Sequence, residues 1–375
     1  WEVVKSHCFS VDSGSPRHYT SRRSGNAAGT FTDAEPPVNT LSRFSFVAAE
    51  PGARRLAALV FGLFVMTAPL AETASTPHQM AERTSAASRN SESARGPRTC
   101  VPGVPPKTSP IAEAAQSRYF TASDGARLHY LEAGRGQTLV FVPGWTMPAY
   151  VWQAQIDRFA RHYRVIAFDP RGQGRSSIPA NGYTPERRAL DIKELLDQLG
   201  DKPVVLAGWS LGVLEALAYV RQHGDAQVAA LVLVDNSIGE EPPPVFDPTF
   251  LPRLRRDQKA TMRRFVRGMH RTTQSEQYLN RLTRSALRVP LEASLALLNY
   301  NHPRQYWKET VYATRKPLLY VVSNRFRGQA LNLEKNRPGS RIAVFENAGH
   351  ALFVDEPKRF NLVLGDFLTR EVWPR

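Results

Sequence analysis

The stretch VVLAGWSLGVLEALAY, Val204 to Tyr219, sets one serine between two glycines where an apolar, strand-like run turns into a helix-like one. A chain that passes from strand to helix within a few residues bends sharply, and Ser210 at the bend takes a strained backbone conformation. Gly208 and Gly212 are small enough to let the strand and the helix approach. The bend lifts the hydroxyl out of the sheet at the C-terminal end of the strand. It also aims the N–H of Leu211 at whatever the serine attacks, and a helix N-terminus favours negative charge there. A Gly-Ser helix start without chemistry is the plain alternative. A strand before the pentapeptide and a helix after it favour a nucleophile.

Outward from this turn the chain keeps alternating. SRYFTASDGARLHYLEAG, Ser117 to Gly134, reads as a hairpin about a Ser-Asp-Gly turn. TLVFVPG ends at Gly144 as a buried strand, and YRVIAFDPRGQG, Tyr163 to Gly174, is another that breaks into a glycine-rich loop. YTPERRALDIKELLDQLG is a helix with Thr184 as N-cap, Pro185 at its first position and Gly200 at its end. The helix after Ser210 closes on Gly224. QVAALVLVD ends at Asp235, and KPLLYVV (Lys316–Val322) and SRIAVFE (Ser340–Glu346) are two more strands. PKRFNLVLGDFLTREV is a terminal helix. Strands apolar along their whole length, alternating with helices, predict a parallel sheet covered on both faces.

The N-terminal part has another texture. Residues 1–52 are rich in Ser, Gly, Thr and Pro and read as disordered or as not part of the true protein. Residues 53–74, ARRLAALVFGLFVMTAPLAETA, resemble a signal peptide: Arg54 and Arg55, then an apolar run from Leu56 to Met66, then small residues. The run is too short to span a bilayer as a signal-independent helix. Export to a periplasmic or extracellular location is therefore expected, with a membrane anchor as the outcome if the segment is not cleaved. Translation is expected to start a few residues upstream of Arg54, since a signal peptide sits at the N-terminus of its protein. Residues 75–116 read as a Ser/Pro-rich linker, and 117–375 as the folded domain.

The 375 residues are 42% hydrophobic and 22% charged, ordinary for a globular enzyme, and carry a net charge of +15. The charge raises the question of nucleic acid, but no nucleic-acid motif accompanies it, and none is expected as a partner. Attraction to an anionic substrate or an anionic membrane surface remains open. Cys8 and Cys100 lie outside the folded domain, so neither a disulfide framework nor a Cys-based zinc site holds it. No His/Asp/Glu cluster has ligand spacing, and neither metal nor cofactor is expected.

Four motifs in order resemble the α/β-hydrolase superfamily over about Ser117 to Arg375. FVPGWT, Phe141 to Thr146, is similar to the family's oxyanion loop, with Pro143 where His is usual and Gly144 retained. DPRGQGRS, Asp169 to Ser176, is similar to the turn after the fourth strand and reads as structural, with Arg171 and Asp169 expected to pair locally. The serine turn is the third. NAGHALFVDEPKRF, Asn347 to Phe360, resembles the family's histidine loop. The resemblance implies a mostly parallel eight-stranded sheet with helices on both faces and a helical cap, here about 237–315. It also implies Ser210 as nucleophile, His350 as its base and the N–H groups of Trp145 and Leu211 as the oxyanion hole.

The acid departs from the common pattern. The usual place after the seventh strand is SNRFR, Ser323 to Arg327, without a carboxylate. A minority of the family uses the end of the sixth strand, where Asp235 stands, and Asp235 is favoured. Asp355 and Glu346 are nearer His350 in sequence, but DEP reads as the start of the last helix. Leu254, Met262, Phe265, Val266 and Met269 in the insertion fall near helical spacing and predict an apolar face over the site. Trp209, Tyr150 and Trp152 are candidates for an apolar acyl or aryl pocket for a small-molecule acyl substrate. The same triad supports esterases, lactonases, amidases, C–C hydrolases and cofactor-free haloperoxidases. A catalytically silent ligand-binding fold-mate is the rival of another class. Substrate and oligomeric state are not legible.

Overall fold

A computed structural model of the protein describes residues 114–200 and 202–374. The leader at 1–52, the signal-like segment at 53–74, both cysteines and nearly all of the linker lie outside the described residues.

The hairpin forms β1 (Gln116–Thr121) and β2 (Arg127–Ala133), paired antiparallel with Phe120 opposite Leu128. Gly125 turns between them with φ 82°, a conformation that favours glycine. The other strands are β3 (Thr138–Val142), β4 (Arg164–Asp169), β5 (Val204–Trp209), β6 (Val228–Val234), β7 (Leu318–Ser323) and β8 (Ser340–Phe345). They make one eight-stranded sheet in the order β1-β2-β4-β3-β5-β6-β7-β8. β2 pairs antiparallel with β4, and from β4 through β8 all neighbours are parallel. β3, β5 and β7 are buried at every position, as a sheet covered on both faces requires.

The covering helices are α1 (Gln153–Phe159), α2 (Pro185–Leu199) and α3 (Leu211–His223). Between β6 and β7 come α4 (Phe250–Arg256), α5 (Gln258–Gly268), α6 (Glu276–Leu287), α7 (Leu291–Ala296) and α8 (Arg304–Ala313). The chain ends with α9 (Arg327–Asn336), the short α10 (Leu352–Asp355) and α11 (Pro357–Phe367). α1 packs on α11, and α3 packs between α2 and α8. α2 begins as its sequence predicts: the Thr184 hydroxyl accepts the Arg187 N–H, Pro185 stands at the first position, and Gly200 ends it at φ 109°. No helix among the described residues is long and apolar enough to cross a membrane.

The insertion buries the apolar face read from its sequence: Leu254, Met262, Phe265, Val266 and Met269 are all buried. Its partner is Trp145. The indole meets Phe250 and Phe265 edge-on, with ring centroids 5.7 and 5.2 Å away, and its Nε1–H donates to the Ser294 carbonyl at 2.8 Å. One side chain therefore ties the loop after β3 to the insertion.

The local pair expected between Asp169 and Arg171 does not form. Cross-strand register sets Asp169 opposite His129, whose Nδ1 lies 2.7 Å from the carboxylate. Asp169 also accepts the N–H groups of Ala149 at 2.5 Å and Arg175 at 2.8 Å. Arg171 points the other way. It is fully buried and grips Asp191 of α2 through two bonds of 2.6 and 2.7 Å and Asp124 of the β1–β2 turn at 2.8 Å. The two carboxylates surrounding it hold the guanidinium above its ordinary pKa against the cost of burial.

Candidate active site

Ser210 stands alone between β5 and α3 with φ 54° and ψ −121°, in the left-handed region that a side chain disfavours. Packing holds it there. A methyl group on Gly208 would lie 2.2 Å from the Gly212 carbonyl oxygen, and one on Gly212 would lie 2.5 Å from the Val142 carbonyl oxygen. Any larger residue at either place would push strand and helix apart. The Ser210 N–H donates to the Val234 carbonyl at 2.9 Å, and the Asn236 amide donates to the Ser210 carbonyl at 2.7 Å. The bend is thereby tied to the end of β6.

His350 reaches this serine from the loop after β8. Its Nε2 is 2.8 Å from Ser210 Oγ, and its Nδ1 is 2.8 Å from Asp235 Oδ2. Asp235 follows β6 with φ 49° and is buried, and its other oxygen accepts the Ser323 N–H at 2.7 Å. A carboxylate buried this deeply needs such partners. Arg325, in the segment that lacks a carboxylate, is a further one: burial lowers its pKa to about 10, while the Asp235 charge acts the other way. The sequence-predicted Ser210, His350 and Asp235 are thus brought together, whereas Glu346 pairs with Arg327 at 2.5 Å and Asp355 is engaged elsewhere.

Asp355 does not open the last helix. It closes α10, and its buried carboxylate accepts the N–H groups of Gly349 at 2.8 Å, Arg271 at 2.9 Å and Thr272 at 3.2 Å, and the Thr272 hydroxyl at 2.6 Å. The Ala351 N–H donates to the Met269 carbonyl at 2.9 Å. The histidine loop is therefore docked on the α5–α6 turn. A sequence signal for this was absent, because three of the four donors come from residues more than eighty positions away.

Gly144 abuts the serine: a methyl group on it would lie 3.0 Å from Ser210 Cβ. The loop that continues into Trp145 is held by Gln173, a residue the sequence reading passed over. Its Nε2 donates to the carbonyls of Gly144 at 3.1 Å and Met147 at 2.7 Å, and its Oε1 accepts from Thr146 N–H and Arg188, both at 3.3 Å. Arg188 in turn pairs with Glu215 of α3 at 2.5 Å, both fully buried. Leu211, whose N–H opens α3, is the residue after the nucleophile candidate.

The three aromatic candidates for the pocket fare differently. Trp152 is a core residue, not a pocket wall: it is fully buried and stacks on Phe353 with centroids 3.9 Å apart. Trp209 is also fully buried, because β5 is covered on both faces. Its Nε1–H donates to the His350 carbonyl at 2.9 Å, so it braces the histidine loop from beneath. Tyr150 is half-buried and lines a cavity with Arg281, whose guanidinium sits 3.8 Å over its ring.

Known proteins share this architecture. The family described as alpha/beta hydrolase fold matches residues 137–325, half of the chain. A non-heme haloperoxidase of Rhodococcus erythropolis is 38% identical over 126 residues, which is 33% of this chain and 44% of the relative, so the match spans under half of that protein. A pimeloyl-[acyl-carrier protein] methyl ester esterase of Vibrio vulnificus is 28% identical over 258 residues, covering 62% of this chain and 94% of the relative. An esterase of known structure from Exiguobacterium antarcticum superposes with a TM-score of 0.61 at 24% identity, covering 67% of this chain and 99% of its own. Sheet order, the strained serine turn and the family match over 137–325 agree, and the chain belongs to the alpha/beta hydrolase fold family.

Proposed function

We propose that the protein is a serine hydrolase that cleaves an ester or a similar acyl bond through an acyl-enzyme. The observation that carries this reading is the continuous hydrogen-bonded row from Ser210 Oγ through His350 to Asp235, with both steps at 2.8 Å. A serine hydroxyl is protonated at neutral pH and needs a base within this reach. His350 takes the Ser210 proton as Oγ attacks the carbonyl carbon. Asp235 accepts the Nδ1–H, which keeps Nε2 free to act and stabilises the imidazolium that forms. The N–H groups of Trp145 and Leu211 hold the oxyanion, and losing one such donor costs about 3 kcal/mol of barrier. His350 then protonates the leaving alkoxide or amine, and water activated by the same imidazole frees the acid and restores Ser210.

The test is a panel of p-nitrophenyl esters of increasing acyl length. Ser210→Ala and His350→Ala lose nearly all turnover, and Asp235→Asn loses about a thousandfold or more. Near wild-type turnover in Asp235→Asn would remove Asp235 from the mechanism and leave the enzyme class standing. A fluorophosphonate separates this reading from a silent ligand-binding fold-mate, since only a nucleophilic Ser210 takes the label.

The Rhodococcus relative favours a second reading on the same residues, a cofactor-free haloperoxidase. Halogenation of a phenolic dye with peroxide and bromide, absent in Ser210→Ala, would support it. The apolar segment 53–74 supports export, and fractionation of cells expressing the full chain tests that.

A further inference from the structure

On the side of Tyr150 lined by β2, α1 and α6 is a cavity of about 480 Å³, a volume within the range of small-molecule sites. Leu131, Pro148 and Ile156 give it apolar walls, and Arg175, Arg281 and Ser285 stand among its polar ones. Neither arginine meets a carboxylate among the described residues. The Arg175 guanidinium donates to Ser117 Oγ at 2.7 Å, and that of Arg281 lies over the Tyr150 ring. Two acidic side chains share the wall. Asp169 is already taken by His129, Ala149 and Arg175 N–H, and Asp157 accepts from Gln153 at 2.8 Å. Asp157 and Asp169 offset the two guanidinium charges, but both carboxylates are turned to other donors and neither is paired with the guanidinium of Arg175 or Arg281, so the arginines keep N–H groups for a ligand. Burial pushes the Tyr150 phenol up to about 12, so it stays a neutral donor facing Ser285.

We infer that this cavity is a binding site for a small carboxylate with an apolar body, such as an aryl or short acyl acid. A guanidinium fork matches the two oxygens of a carboxylate, and charge-assisted hydrogen bonds of that kind are the strong ones. The apolar walls suit a ring or a short chain, which a bare inorganic anion would leave uncovered. The wall from Pro148 to Tyr150 is also the direct continuation of the Gly144–Met147 loop, so an occupant touches the chain that runs on from Gly144 beside Ser210. The site does not depend on Ser210 chemistry.

The experiment is titration calorimetry on the full chain carrying Ser210→Ala, with benzoate, methyl benzoate and inorganic phosphate as probes. Benzoate is expected to saturate one site, with methyl benzoate and phosphate each at least about tenfold weaker. Arg281→Met and Arg175→Met, both surface positions, each weaken benzoate by about tenfold or more while thermal unfolding stays unchanged. Absence of saturation overturns the inference, as does benzoate binding that ignores both arginines. Phosphate binding as tightly as benzoate overturns the assigned ligand class. Ester turnover in the wild-type chain is read separately, so failure of either result leaves the other intact.

Discussion

Asp355 accepts the backbone N–H of Gly349, the residue before His350, at 2.8 Å, and the same carboxylate holds the turn between α5 and α6. The imidazole that faces Ser210 is thus carried on a loop pinned to the insertion. A methyl group on Gly349 would lie 2.6 Å from the Met269 carbonyl oxygen, so the loop rests directly against the end of α5 and only glycine fits there.

Asp355→Ala removes the acceptor of four donors, of which the Gly349 N–H belongs to a buried residue, and leaves a gap where a fully buried carboxylate stood. We expect a loss of about 3 kcal/mol of stability. Ester turnover falls at least tenfold with acylation slowed, because His350 is no longer held. Urea unfolding and single-turnover kinetics check this. Wild-type kinetics in the variant would mean that the remaining contacts hold the loop unaided.

Trp209→Phe keeps the buried ring but removes the donor to the His350 carbonyl. The orphaned carbonyl costs about 1–3 kcal/mol. Turnover of the folded variant separates a brace on the histidine from simple packing: kcat falls at unchanged KM only if the loop that carries His350 is no longer held.

Gly208→Ala is expected to be among the most damaging single-methyl changes in the chain. The added carbon would sit 2.2 Å from the Gly212 carbonyl oxygen, a backbone atom that cannot swing away. Overpacking of this kind costs about 3 kcal/mol or more. Gly224→Ala meets nothing within 4 Å and strains only the backbone, at φ 79° and ψ 178°, so about 1–3 kcal/mol is expected. Thermal unfolding of the two variants side by side checks the contrast.

His270 predicts a pH dependence of stability. Its side chain is 2% exposed, and burial lowers its pKa from 6.5 to about 4, against the pull of Asp355. The fold keeps the ring neutral, so below pH 6.5 the unfolded chain binds the proton first. This contribution is present above pH 6.5 and is lost as pH falls towards 4, by up to about 3 kcal/mol. His270→Gln should flatten the stability curve between those values. An unchanged slope in urea titrations at pH 4.5 and pH 7 would place the proton uptake elsewhere.

Much of the architecture was written in local patterns. Thr184, Pro185 and Gly200 bound their helix because capping and glycine φ are properties of a few neighbouring residues. β3, β5 and β7, read as apolar throughout, are buried at every position, whereas β8 at the sheet edge is only partly buried. Arg171 and Asp169 show where such reading stops. They are two residues apart, yet each meets partners 20 or more positions away, because register pairs Asp169 with His129 across the sheet while Arg171 lies in the turn beyond the end of β4. Trp152 and Trp209 show the same for aromatic residues: composition marks them as large and apolar, and only their place in the layers separates core from cavity.

The sequence by itself determined the serine turn, since its two glycines leave one local solution, and it named the one histidine loop that could face it. The sequence favoured Asp235 as the carboxylate beside His350, and the tertiary structure is what brings the two together. Asp355 and Glu346 are nearer along the chain. Asp235 is nearer in space because the ends of β6 and β7 lie side by side, and the Ser323 N–H completes its shell. Distance through a fold is set by sheet order, and sheet order is a property of the whole packed chain.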